Sequence, residues 1–334
     1  MYKKLIASGV TASTLLLGTV TPITHAESNE TTQEQPNQVS QEAIDQAKER
    51  NDESVKDNKD NELKDPVYAE GSDLDSSQKS KTKELLGVDD GTKTYDVTTS
   101  DVQSYTGGTY DFIKSSAIIE PKKLKKGVDV EIVTPDNITR ITKEQYINAS
   151  ITSGIKDADI KIASVEPVTG EGALAGIYES LEKEGFNVDK VDAQSANQEL
   201  NDLSSIKEEQ KNSGNDDYSD KAMNNAVADM KGQVADKKHA NEDLTENDIK
   251  QIVDDTLKEK GMDKQLTNDQ KVKIENIVIN ASDSKAMNDD PKSFKDQSDK
   301  LKNKLSDSVD KVKEEAGENK GFFKSLWDKI TGWF

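Results

Sequence analysis

The stretch from Val128 to Gly185 constrains the fold more than any other part of this chain, because the hydrophobic period changes several times within it. Val128-Asp129-Val130-Glu131-Ile132-Val133-Thr134 alternates apolar and polar residues before closing on Val133, and its apolar members are β-branched. That is the pattern of a strand with one buried face. Pro135-Asp136-Asn137 ends it with turn chemistry. Thr142-Lys143-Glu144-Gln145 matches a capping box, in which the hydroxyl and the Gln side chain each satisfy an orphan N–H. The spacing then predicts a helix with Tyr146, Ile147, Ala149, Ser150 and Ile151 near its inner face and Gly154 at its end. Asp159 to Val165 alternates again and reads as a second strand. A second helix follows from Gly170, carries Leu174, Ile177, Tyr178 and Leu181 at helical spacing, and stops at Gly185. Two strands around a helix are most simply a parallel βαβ unit.

The flanking chain divides by composition. Residues 1–26 read as a secretory signal: Lys3 and Lys4 precede an apolar run from Leu5 to Val20, and Thr24-His25-Ala26 approximates a cleavage site. Residues 27–80 hold six Leu, Ile, Val or Phe residues among 54 and read as a disordered acidic spacer. Residues 81–212 are expected to be an α/β domain. Within it, Tyr95 to Thr98 reads as a strand, Ser100 to Gln103 as a capping box, and Asp111 to Ile119 as one or two further strands. Residues 213–292 are expected to form a helical region, beginning at the turn Ser213 to Asp217. Met223, Val227, Met230 and Val234 form an apolar stripe there, and Thr245 to Asp248 and Thr267 to Gln270 are further capping boxes. Residues 293–334 comprise a charged helix, with Phe294, Leu301, Leu305, Val309 and Val312 on one face, and an amphipathic end. The predicted class is α+β or α/β: a small βαβ-containing sheet domain, a helical region and an amphipathic C-terminal helix.

The run GVDVEIVTPDNITRITKEQYINASITSGIKDADIKIASVEPVTGEGALAGIY also resembles the YpuA-like family of secreted proteins of unknown function from Gram-positive bacteria. The likeness extends from about Lys83 to Asn280. It implies a secreted protein of a Gram-positive cell envelope and supplies no activity, cofactor or site residue.

Charge and residue inventory exclude several functions. The net charge is −20, and becomes −22 once a leader carrying Lys3 and Lys4 is removed. A surface of that sign repels nucleic-acid phosphates. The chain has no Cys, so a disulfide framework, a thiol nucleophile and a Cys-based zinc site are all absent. Beyond the leader the single histidine is His239, in a polar stretch, with no nucleophile elbow to accompany it. The acidic turns Asp89-Asp90-Gly91 and Asn215-Asp216-Asp217 do not follow EF-hand spacing. Gly170-Glu171-Gly172-Ala173-Leu174-Ala175-Gly176 follows a strand and opens a helix, the context of a phosphate loop. Glu166 and Glu171 would repel a phosphate, however, and the tight turn is missing. Close approach of helix to sheet at Gly172 and Gly176 is the better account. No cofactor, metal or catalytic residue is assigned.

The remaining candidate is the C-terminal segment. Phe322, Phe323, Leu326, Trp327, Ile330, Trp333 and Phe334 share one helical face, and Lys320, Lys324, Ser325, Asp328 and Lys329 the other. Aromatic residues opposite Lys suit a membrane interface or a partner. The expected function is therefore a secreted, non-catalytic binding or structural module. Its partner would be a membrane surface or an envelope protein or polymer, with oligomeric state open. The alternative is a carboxylate-dependent hydrolase of wall polymers.

Overall fold

The structure is a computed structural model that describes residues 63–122, 127–215 and 218–315. Among these, five strands form one mixed sheet: β1 (Val67–Gly71), β2 (Lys93–Val97), β3 (Ser116–Pro121), β4 (Asp129–Ile132) and β5 (Ala158–Ala163), in the order β2-β1-β3-β5-β4. The expected βαβ unit is present. β4 pairs parallel with β5, Val130 opposite Ile160, and α3 (Lys143–Thr152) connects them. Thr142 caps α3 as expected, taking the Gln145 N–H while the Gln145 side chain accepts from the Thr142 N–H.

A second parallel pair, β1 with β2, is joined through α1 (Ser76–Leu86). This corrects the expected spacer boundary. Residues 67–80 are not spacer: Val67–Gly71 is the second strand of the sheet, and all five of its residues are buried. Averaging over 54 residues diluted a local Val-Tyr-Ala run that is apolar enough to be central. β3 lies between the two parallel pairs and runs antiparallel to both β1 and β5. It is the strand expected between Asp111 and Ile119, extended to Pro121.

The two faces of the sheet are covered unequally. Tyr68, Leu86, Ile118 and Ala163 make a small apolar cluster beneath α1. The other face carries the main core, beginning with α2 (Thr99–Thr106), α3 and α4 (Glu171–Lys183). α2 starts two residues earlier than expected, because Thr98 and Asp101, not Ser100 and Gln103, form its capping box.

The remaining helices are α5 (Lys190–Asn212), α6 (Asp220–His239), α7 (Glu246–Glu259), α8 (Asn268–Asp283), α9 (Lys285–Asp289) and α10 (Pro291–Glu315). The Thr245 and Thr267 capping boxes open α7 and α8 as read from the sequence. The division expected near residue 213 is not a division of the core. Ile162, Leu174 and Leu200 belong to the same apolar cluster as Val227, Ile274 and Leu301. Phe294, Leu301 and Leu305 are buried along α10 as its spacing requires; the side chains of Val309 and Val312 lie outside the described set.

Candidate functional site

The glycine run opens α4, as its spacing predicts, and it does so as a packing device. Gly170 is the N-cap, with φ +111°, a conformation that glycine adopts without steric cost. A Cβ there would lie 2.6 Å from the Tyr146 hydroxyl and 2.8 Å from Ile138. Gly172 faces Ser115 and Ile113. Gly176 lies so close to the sheet that a Cβ would meet Val97 at 3.2 Å and Ala69 at 3.3 Å. Where a phosphate would sit, the carboxylate of Glu171 is fully buried and takes an Arg140 Nη1 hydrogen bond at 2.6 Å. Arg140 also reaches Asn201 at 3.1 Å and Glu208 at 3.1 Å, fastening the start of α4 to α5. The loop is thus closed by a structural ion pair.

The most unusual chemistry is buried one layer further from the sheet, where α3, α5 and α6 meet. Lys231 of α6 is fully buried. Its Nζ donates to Glu199 Oε1 at 2.5 Å, Thr152 Oγ1 at 2.7 Å and the Asn148 carbonyl at 3.2 Å. Thr152 Oγ1 in turn donates to Glu199 Oε2 at 2.6 Å. All three donor positions of the ammonium are therefore used, and both carboxylate oxygens are bonded. Burial pushes the Lys231 ammonium below its ordinary range, and the Glu199 carboxylate opposes that shift. Sequence reasoning overlooked both residues, although the helical phase marks them. Lys231 lies four residues after Val227 and three before Val234, while Glu199 lies three after Ala196 and four before Leu203.

Other carboxylates are displaced upward by burial and are likewise occupied in packing. Asp192, with a pKa raised to about 7, accepts from the Lys285 and Ala286 N–H groups at 3.1 Å each, so it caps α9 from α5. Asp220, raised to about 6, accepts from Thr142 Oγ1 at 3.1 Å. Asp202, raised to about 6, is buried on α5. Asp192 and Asp220 thus tie one helix of the body to another.

The remaining sequence candidates are placed as follows. His239 is the exposed last residue of α6. Asp89, Asp90 and Gly91 are exposed in the turn before β2. Asp216 and Asp217 lie outside the described residues, as do Phe322, Phe323, Leu326, Trp327, Ile330, Trp333 and Phe334. Among the described residues no group of three or more His, Asp or Glu is disposed to hold a metal ion, and no helix is long and apolar enough to cross a membrane. A cavity of about 10 Å³, about enough for one water, is lined by Val128, Asp129, Ile147, Gln297, Lys300, Leu301 and Lys304.

Comparison with known proteins adds a family and no chemistry. The family described as "Protein of unknown function (DUF1002)" matches residues 70–301. The chain is 29% identical over 281 residues to the uncharacterized protein YpuA of Bacillus subtilis (strain 168), covering 79% of this chain and 88% of that protein. The resemblance carried by the β4–α4 stretch is thereby borne out. No solved structure matches the chain.

Proposed function

The chain belongs to the DUF1002 family, and from that premise we propose that it is an exported, non-catalytic interaction protein of a Gram-positive cell envelope. The observation that carries the reading is where its buried carboxylates are spent. Glu171, Asp192, Glu199 and Asp220 each face another helix or its connection and hold it through hydrogen bonds or an ion pair. A hydrolase needs such groups aimed at a substrate. A module that presents a fixed surface needs them in its frame.

The leader-like first 26 residues and the net charge of −20 support export as a soluble body. The pattern of residues 322–334 supports an interfacial contact. It places seven large apolar residues opposite Lys320, Lys324 and Lys329. Trp327 and Trp333 are the chain's two tryptophans, so selectively excited tryptophan emission reports on this segment alone. Added vesicles of neutral or anionic lipid should shift the emission to the blue and protect it from a soluble quencher. Emission that is unchanged across both lipid types removes the membrane as partner. Capture of wall polymer by the mature chain then becomes the deciding measurement.

A further inference from the structure

A second buried lysine has an arrangement that an ion pair alone does not require. Lys260 follows the last turn of α7, and its side chain is 7% exposed. Its Nζ lies 3.0 Å from the side-chain oxygen of Asn225 and 3.0 Å from Asp229 Oδ2, both on α6 and both buried. The Asn225 amide is fixed by α10: its Nδ2 donates to the Lys302 carbonyl at 2.7 Å and to Ser306 Oγ at 3.2 Å. Those bonds turn Nδ2 away and present the carboxamide carbonyl to the amine. Asp229 Oδ1 is held by Lys302 Nζ at 2.8 Å and Gln233 Nε2 at 3.2 Å, which leaves Oδ2 directed at Lys260. An amine, a carboxamide and a carboxylate are thus assembled in a buried seam, with the amine within hydrogen-bond reach of both of the others.

We propose that Lys260 and Asn225 join in an intramolecular amide cross-link, with Asp229 carrying the protons. In the step, Asp229 takes a proton from the Lys260 ammonium, and the freed lone pair adds to Asn225 Cγ. The Nζ–Cγ bond forms and the Cγ–Nδ2 bond breaks. Asp229 returns its proton to the departing nitrogen, which leaves with the second surplus lysine proton as ammonium. Nothing is oxidised or reduced, and no further reactant is consumed. Burial pushes the Asp229 carboxyl up, but the neighbouring Lys260 and Lys302 ammonium groups more than offset this and hold it below the ordinary carboxylate range. It is therefore anionic at neutral pH, as a proton acceptor must be.

The link closes a loop between residues 35 apart in sequence and fastens α7 to α6. In a chain without cysteine it does the work of a disulfide with no dependence on an oxidant.

The test is the mass of the full, unfolded wild-type chain together with its peptide map. The expected result is a chain lighter than its sequence by one ammonia, and a branched peptide joining the Asn225 and Lys260 segments. Asn225→Ala and Lys260→Ala should show the full sequence mass for their composition and no branched peptide, as should Asp229→Ala. A wild-type chain of full mass overturns the proposal. So does a lighter chain without the branched peptide, because cyclisation of Asn225 onto its own backbone loses the same ammonia. An Asp229→Ala chain that still carries the branch overturns the role given to Asp229.

Discussion

Replacing Glu199 by Gln removes one charge from the centre of the helical layer and changes almost nothing else. Gln is nearly isosteric, and its carbonyl oxygen can still accept from Lys231 or Thr152, so the packing of α3, α5 and α6 is retained. What is lost is the counter-charge of an ammonium with no exposure to solvent. Breaking a buried pair from one side costs roughly 3–5 kcal/mol, because the remaining charge is uncompensated. For a protein of this size that amounts to a fall in melting temperature on the order of 10 °C. The cost should also depend on pH with a definite sign. Lys231 is already depressed by burial, and removing Glu199 depresses it further. The unfolded chain then binds more protons than the folded one, so stability rises as pH increases towards the lysine's unfolded pKa. Urea denaturation of wild type and Glu199→Gln at pH 7 and pH 9.5 reads both effects. The variant's deficit should be large at pH 7 and smaller at pH 9.5. The double variant Lys231→Met/Glu199→Leu, which removes both charges, should recover much of the loss. A deficit below about 1 kcal/mol at pH 7, or one that grows with pH, would refute the reasoning.

The same geometry supports several smaller expectations. Gly176→Leu should destabilise the protein by about 1–3 kcal/mol, since its side chain would have to enter space held by Val97 and Ala69; an unchanged melting temperature means that α4 does not pack as described. Gly170→Ala should cost more than Gly176→Ala in paired melts, because Gly170 combines φ +111° with a 2.6 Å approach to the Tyr146 hydroxyl. Wild-type stability should fall as pH rises from about 4 to about 7, because the folded Asp192 carboxyl, raised to about 7, keeps a proton that the unfolded chain has already lost above about 4. Asp192→Asn should flatten the profile between about pH 4 and 7, and an unaltered slope assigns the dependence to other groups.

The legible parts of this fold are those in which local signals agree. In α3 the capping box, the apolar spacing and the terminal glycine all mark one helix, and its flanking strands pair in parallel as their alternation requires. β1 was hidden because a five-residue strand, however central, is too short to alter the composition of a 54-residue window. Its partner β3 lies 45 or more residues later, so only the assembled sheet accounts for its burial. The buried ionic groups were hidden for a different reason. A search for apolar stripes discards polar and charged residues at inward positions, yet Lys231, Glu199, Asp229 and Asn225 all lie on inward phases of α5 and α6. Periodicity gives the direction of each such side chain, but not whether a partner of the right charge awaits it on another helix. That partner is supplied by tertiary packing: Glu199 reaches Lys231 across 32 residues, and Asn225 reaches Lys260 across 35. An inward-phase Lys or Asp in an otherwise apolar helical stripe therefore implies a matching group elsewhere in the chain, since an unpaired charge at that depth would not be tolerated. Applied here, that rule draws attention from the glycine loop to α6, the helix that carries both buried-lysine clusters.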